Sequence, residues 1–214
     1  MPKLFSKIKV SPAEIGVLAF TMLYMAVWLV ASFVLKNGEF IFYFAVMCVL
    51  ILIVSAVHLQ VRLHLVALWG LSLWGLAHMA GGLMPVPESW PINGDTHVLY
   101  NWWLVPGLLK YDQLVHAYGF GLVTWICWQS LEGAFAKRGI TVKPSPGLLT
   151  LCVAGGMGFG AANEVVEFIA TITLPGTNVG GYENTGWDLV SNLVGCLIAA
   201  VAIFIQGKRQ RDAD

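Results

Sequence analysis

Three pairs of residues in this chain have the types and spacing to do chemistry. Asp112 and His116 lie four residues apart, Glu164 and Glu167 three, and Asp188 and Asn192 four. On a helix, residues three or four apart share a face, so each pair offers two polar groups in one direction. With His78 the set holds four carboxylates and two imidazoles. That ligand inventory suits a divalent ion such as Zn, Mn or Fe, singly or as a pair. A bound ion of this kind makes water nucleophilic at neutral pH, and Glu164 or Glu167 would be the catalytic group that takes its proton. Asn163 and Asn192 stand beside the acids as hydrogen-bonding supports. Di-iron helical bundles use the same ligand count, but their Glu-x-x-His spacing is absent here.

The surroundings of these residues are strongly apolar. Of 214 residues, 57% are hydrophobic and 11% charged, well below the quarter usual in soluble domains. Zero formal net charge gives a nucleic-acid partner no electrostatic support. Cys48, Cys127, Cys152 and Cys196 sit singly in apolar runs and read as buried free thiols. A charge deep in a membrane span costs about 2.5–3.5 kcal/mol on insertion scales. Four bare carboxylates would cost on the order of 10 kcal/mol, as much as a whole domain's stability. Either some carry protons or cations sit among them.

Six apolar runs are long enough to cross a bilayer, which takes roughly 20 residues: 13–35, 39–57, 65–84, 112–133, 147–173 and 187–206. The fold expected is an all-α polytopic membrane protein, residues 1–214 forming a single integral membrane domain. Ser11-Pro12-Ala13-Glu14 reads as a capping box with proline at the first helical position, making Glu14 a helix-start residue. Ten of the twelve Lys and Arg residues fall before the first span, after the sixth, and in alternate loops: Lys3, Lys7, Lys9, Arg62, Lys137, Arg138, Lys143, Lys208, Arg209 and Arg211. By the positive-inside rule both termini are cytoplasmic. Lys36 and Lys110 fall on the other side. There the long 85–111 loop, with Trp90, Trp102 and Trp103, would join Trp187 in an interfacial aromatic belt, with "NWWLVPGLLK" lying flat on the membrane.

This topology brings His78, Asp112, His116, Glu164, Glu167 and Asp188 to one depth in the outer leaflet, from spans three to six; the first two spans contribute none. Gly156 and Gly160 form a small-xxx-small face before the acids, and Gly119, Gly121 and Gly195 do the same on neighbouring spans. Plainer readings exist for single residues. His78 alone could be a packing residue, Asp188 a helix cap, and Glu164 and Glu167 protonated or paired with neighbours. Asp95, His97 and Glu183 read as solvated loop residues, His58 and His64 as interfacial ones, and Glu132 as solvated.

In their order and on these spans, "HMAGG" (78–82), "YDQLVHAYGFG" (111–121), "NEVVEF" (163–168) and "GWDLVSNLVG" (186–195) resemble the YjdF-like inner-membrane proteins of bacteria. More distantly, the acid-rich fifth span followed by D-x-x-x-N-x-x-G is similar to VanZ-type proteins, linked to glycopeptide-antibiotic tolerance. The resemblance covers roughly residues 65–200. It implies a multi-pass bacterial inner-membrane location and marks the same six polar positions. Gln113 stands where that family would have arginine, and Asn192 where it tends to have a second aspartate. The latter change lowers the charge of any pocket.

Three functions follow from these residues. One is a metal-dependent intramembrane hydrolase of lipid or lipid-linked envelope substrates. Another is a small carrier or binding protein for protons, metal ions or a solute, although no internal repeat of the transporter kind is present. The third is a scaffold whose polar cluster fixes helix register.

Overall fold

A computed structural model describes residues 10–213, with side chains through Arg209; Lys3, Lys7, Lys9 and the Arg211 side chain lie outside the described residues. Six helices follow one another: α1 (Pro12–Val34), α2 (Gly38–Val61), α3 (Leu65–Leu83), α4 (Tyr111–Ala136), α5 (Pro146–Thr173) and α6 (Tyr182–Ala213). The polar-to-apolar transitions set their starts. Ser11 accepts from the Glu14 N–H at 3.2 Å while Glu14 accepts from the Ser11 N–H at 2.6 Å, so the capping box forms as its sequence implies. Asn37 and Ser145 cap α2 and α5 in the same way. Glu14 has a second role, because His58 Nε2 approaches it to 3.1 Å and Arg62 to 3.9 Å.

Five helices are long and apolar enough to cross a membrane: α1, α2, α3, α5 and the Tyr182–Arg209 part of α6. Their outward faces carry exposed Leu23, Leu52, Leu151 and Ile198, a surface that calls for hydrocarbon rather than water. The sixth run differs. α4 is long enough, at 26 residues or about 39 Å, but Asp112, Gln113, His116, Gln129 and Glu132 make it less apolar than the others. Its neighbours explain why it can be so: α4 packs against α2, α3, α5 and α6 and buries His116, Phe120, Thr124, Trp128 and Gln129. Polar residues in such a bundle belong on the face turned to protein.

Backbone contact holds α4 to α6. A Cβ on Gly121 would lie 2.8 Å from the Gly195 carbonyl oxygen, and one on Gly195 would collide with the carbonyl of Ala117. Gly156 likewise gives Thr124 and Cys196 their space. On the other side of the bundle, Thr21 and Ser72 share a 2.6 Å hydrogen bond between α1 and α3. Phe40 fills the place a side chain on Gly82 would take, in a core with Met25, Tyr43, Met79 and Ala170. Of the four thiols only Cys152 and Cys196 are buried, Cys48 being exposed on the outer face of α2.

The loop between α3 and α4 does not lie flat. Leu99–Asn101 forms a 3-10 turn, and Trp103–Val105 pairs antiparallel with Leu109–Lys110 across a turn in which Gly107 takes φ +71°. Bridges Pro85–Val98 and Ile92–Trp102 tie the segment to itself, and Trp90 stacks on Trp102 with centroids 4.4 Å apart. The result is a folded cap, with Tyr100 inserted against Gly81.

Adding a methyl at Gly195 is expected to destabilise the protein by about 1–3 kcal/mol through overpacking. Gly158→Ala, where an added Cβ meets nothing within 4 Å, is expected to be neutral or to stabilise by up to about 1 kcal/mol. Thermal unfolding of both variants in one detergent checks the contrast.

Candidate functional site

The polar residues gather at the end of the bundle that carries the cap. α4 starts there, and its first turn is fixed by Gln113, whose Oε1 accepts the Lys110 N–H at 2.8 Å, and by Tyr111, which donates to the Ala77 carbonyl at 3.0 Å. One turn on, His116 Nε2 faces Asp112 Oδ1 at 3.6 Å. From α6, Asn192 Oδ1 meets His116 Nδ1 at 3.0 Å. An amide oxygen accepts, so Nδ1 carries the proton and the Nε2 lone pair is left facing Asp112. Gly160 makes room for this amide, since a Cβ there would come within 2.6 Å of Asn192 Nδ2.

Ligating atoms of Asp112, His116 and Asp188 lie within 4.8 Å of one another, as do those of His116, Glu164 and Glu167. The Asp112–His116 separation of 3.6 Å is close to the roughly 3.3–3.6 Å between two ligands of a tetrahedral Zn shell. Glu164 Oε1 lies 3.8 Å from His116 Nδ1. Both Glu164 oxygens, Asp188 Oδ1 and Asn192 Nδ2 are buried without a hydrogen-bond partner among the described residues, although Asp188 and Asn192 are fully enclosed. Each such group costs about 1–3 kcal/mol or more when left unmet. A cation held by Asp112, His116 and Asp188 would satisfy the unmet Asp188 oxygen, and the pairing of Nδ1 with Asn192 is the second hydrogen bond usual for a metal-bound imidazole. The residues fit a metal.

Above this layer opens a cavity of about 720 Å³, lined by His78, Asp112, Glu167, Lys110, Tyr43 and Glu39 among others. Glu167 Oε1 accepts from Asn163 Nδ2 at 2.7 Å. His78 stands apart from both ligand groups. Its Nδ1 is taken by the Tyr100 hydroxyl at 2.5 Å, so the structure gives it a partner other than a metal. Burial, and after it the charge of Asp112, holds the Tyr100 phenol well above its ordinary range, and Tyr100 is the proton donor in that bond.

Several functional residues were not legible beforehand. Lys110, placed by sequence in an outer loop, is buried; its Nζ donates to Asn184 Oδ1 and lies 3.6 Å from Asp112 Oδ2. It is a cation inside the acid cluster. Asn184 Nδ2 in turn donates to Asp188 Oδ2 at 2.6 Å. α6 begins at Tyr182, five residues before the expected start, so Asp188 is not a helix cap and Asn184, Asp188 and Asn192 form one ladder at four-residue steps. The second span does contribute an acid: Glu39 is buried and accepts the Asn178 N–H at 2.9 Å. Its signal was an acid in the first turn of an otherwise apolar helix. Asp95 is exposed, His97 half-buried, and Glu183 is exposed in the first turn of α6 at the cavity rim.

A family described as predicted membrane protein (DUF2238) matches residues 16–209. The chain belongs to that family. The matched stretch contains every residue of the cavity described here, and the description names a membrane protein without an activity. No curated protein and no solved structure matches the chain.

In this DUF2238 protein Lys110 offsets part of the carboxylate repulsion. Lys110→Met is expected to cost about 3–5 kcal/mol by stranding a buried charge, and adding Asp112→Asn should recover most of it. Unfolding of the single and double variants, in the absence of added metal, measures the coupling.

Proposed function

We propose that this protein is a metal-dependent intramembrane hydrolase whose substrates are lipids or lipid-linked envelope precursors. One observation carries the reading: Asp112, His116 and Asp188 bring ligating atoms together, Asp112 also lines a large polar cavity, and both Glu164 oxygens and one of Asp188 lack hydrogen-bond partners among the described residues. In this reading α4 is a sixth span enclosed by the others, both termini are cytoplasmic, and the cavity opens to the outer leaflet. The charge distribution supports that orientation. The resemblance to YjdF-like proteins implies the same bacterial inner-membrane setting.

Asp112, His116 and Asp188 would hold one divalent ion, which supplies Lewis acidity and a water of lowered pKa. The chain's own groups do the rest. Glu167, fixed by Asn163 and open to the cavity, takes the proton of the water as its oxygen bonds to a carbonyl or phosphoryl centre. It then returns that proton to the leaving oxygen. Glu164 lies one turn deeper and adds negative charge that holds the cation. Lys110 offsets the charge of Asp112, so the site keeps a net negative balance suited to a divalent ion.

A carrier reading needs a route through the bundle. His116 and Asn192 are buried against each other, and about a turn farther along their helices Gly121 and Gly195 bring α4 and α6 into backbone contact. That closure favours catalysis over passage.

Purified protein is expected to contain Zn, Mn or Fe, lost in His116→Ala and bound about 10–100-fold more weakly in Asn192→Ala. Glu164→Gln should stabilise the metal-free protein, because it removes one repelling charge. Metal analysis, and lipid profiling of bacterial-lipid vesicles carrying wild type or His116→Ala, tests the reading. A metal-free wild type, with His116→Ala equal to it in stability and in lipid turnover, would sink it.

A further inference from the structure

A second cavity, of about 530 Å³, runs between α2 and α5 over a floor of α3 and α4. Leu50, Val54, Trp74, Val123, Phe159 and Val166 make its lining almost wholly apolar. Its volume falls in the roughly 300–1,000 Å³ range of small-molecule pockets. Besides Ser130, the polar residue of the lining is Asn163, at the end nearest the site, and this is the same amide that holds Glu167. Between the apolar groove and the polar cavity lies a gap of about 20 Å³, wide enough for about one water. Tyr43 and His78 line both the gap and the polar cavity, while Trp74, Asn163 and Val166 line both the gap and the groove. The polar cavity and the apolar groove therefore lie on either side of one small gap, and the lining passes from charged to hydrocarbon-like across it.

We infer that the groove holds the hydrocarbon chain of the lipid whose polar end occupies the cavity, with Tyr43, His78 and Asn163 as the neck between them. This rests on the hydrolase reading of the site and adds its substrate class, an amphiphile with a flexible apolar chain. A partner helix is a poor occupant, since a helix with its side chains is about 10–12 Å across and would not thread the neck. Ordinary bilayer lipid covers apolar surface without reaching polar groups of the site, whereas this groove ends on Asn163, the amide that donates to Glu167. Tyr43 also has a buried hydroxyl with no hydrogen-bond partner among the described residues, placed where the polar and apolar parts of such a ligand would join.

The test uses the full chain in phosphatidylethanolamine and phosphatidylglycerol vesicles containing a trace of phosphatidylglycerol with a diazirine on its acyl chain. Cross-links are mapped after illumination, and metal content is measured on the same samples. Labelling is expected to concentrate on Leu50, Phe159 and Val166. It should be lost in Ala162→Phe and in Val54→Phe, which fill the groove from opposite walls, and kept in Ile198→Trp on the exposed face of α6. Both groove variants should retain the metal content of the wild type. Labelling spread evenly over Leu52 and Ile198, and unmoved by both groove variants, overturns the groove assignment while leaving the metal site intact. Concentrated labelling on a metal-free wild type supports the groove as a chain site and overturns the hydrolase reading instead.

Discussion

The whole site depends on how closely α4 can lie against α6. Side-chain ligands from two helices converge only when the helix axes are near enough, and Gly121 and Gly195 set that distance by offering backbone to backbone. One turn away, the short separation lets His116 on α4 reach Asn192 on α6 at 3.0 Å. Small residues at a helix–helix contact are the usual means of close approach in a bilayer, where burying apolar surface between helices offers no driving force over lipid. Gly156 and Gly160 extend the same device to α5, so three helices meet around one imidazole.

Close approach alone would be unfavourable, because it also brings the acids together. The structure offsets this with a network rather than a single pair. Lys110 is pinned by Asn184 and faces Asp112; Asn184 reaches across to Asp188; Asn163 steadies Glu167; the Asn178 backbone satisfies Glu39. Each of these amides donates to a carboxylate, and Asn184 to two, which lowers repulsion without adding charge. What the network leaves unmet is Glu164 and one oxygen of Asp188. The compensation those atoms lack is what a bound cation would supply.

Much of this was legible in the sequence, and the reasons differ residue by residue. Spans appear because apolar length is a local property, and α1, α3 and α5 begin and end within a residue of their expected bounds. The closeness of Asp112 to His116 and of Glu164 to Glu167 follows from helical spacing, whereas Asp188 and Asn192 take other partners, Asn184 and His116. Lys110 and Glu39 were hidden because each is a helix-terminus residue whose burial is created by distant chain: the 85–110 cap folds over the bundle, and the α5–α6 connection lays Asn178 on Glu39. Asn184 was missed for a related reason, since α6 runs through "GGYENTG", whose glycines suggest a loop. His78 lines the polar cavity, but the Tyr100 that engages it arrives from 22 residues away, on a segment with no regular periodicity.

The two candidate ligand groups share a residue, and in the proposed reading that favours one ion over two. His116 belongs to both, yet an imidazole with one proton has a single lone pair to give. Its Nδ1 is engaged by Asn192, which leaves Nε2 toward Asp112 and Asp188, and the Glu164–Glu167 side is left with carboxylates alone. An aspartate at position 192 would accept the Nδ1 proton more strongly and add a charge in reach of Glu164, making room for a second ion. Asparagine gives up that charge and keeps the orientation of the ring. Under the proposed function the centre would be asymmetric, with one group of residues to bind the ion and the other to move a proton.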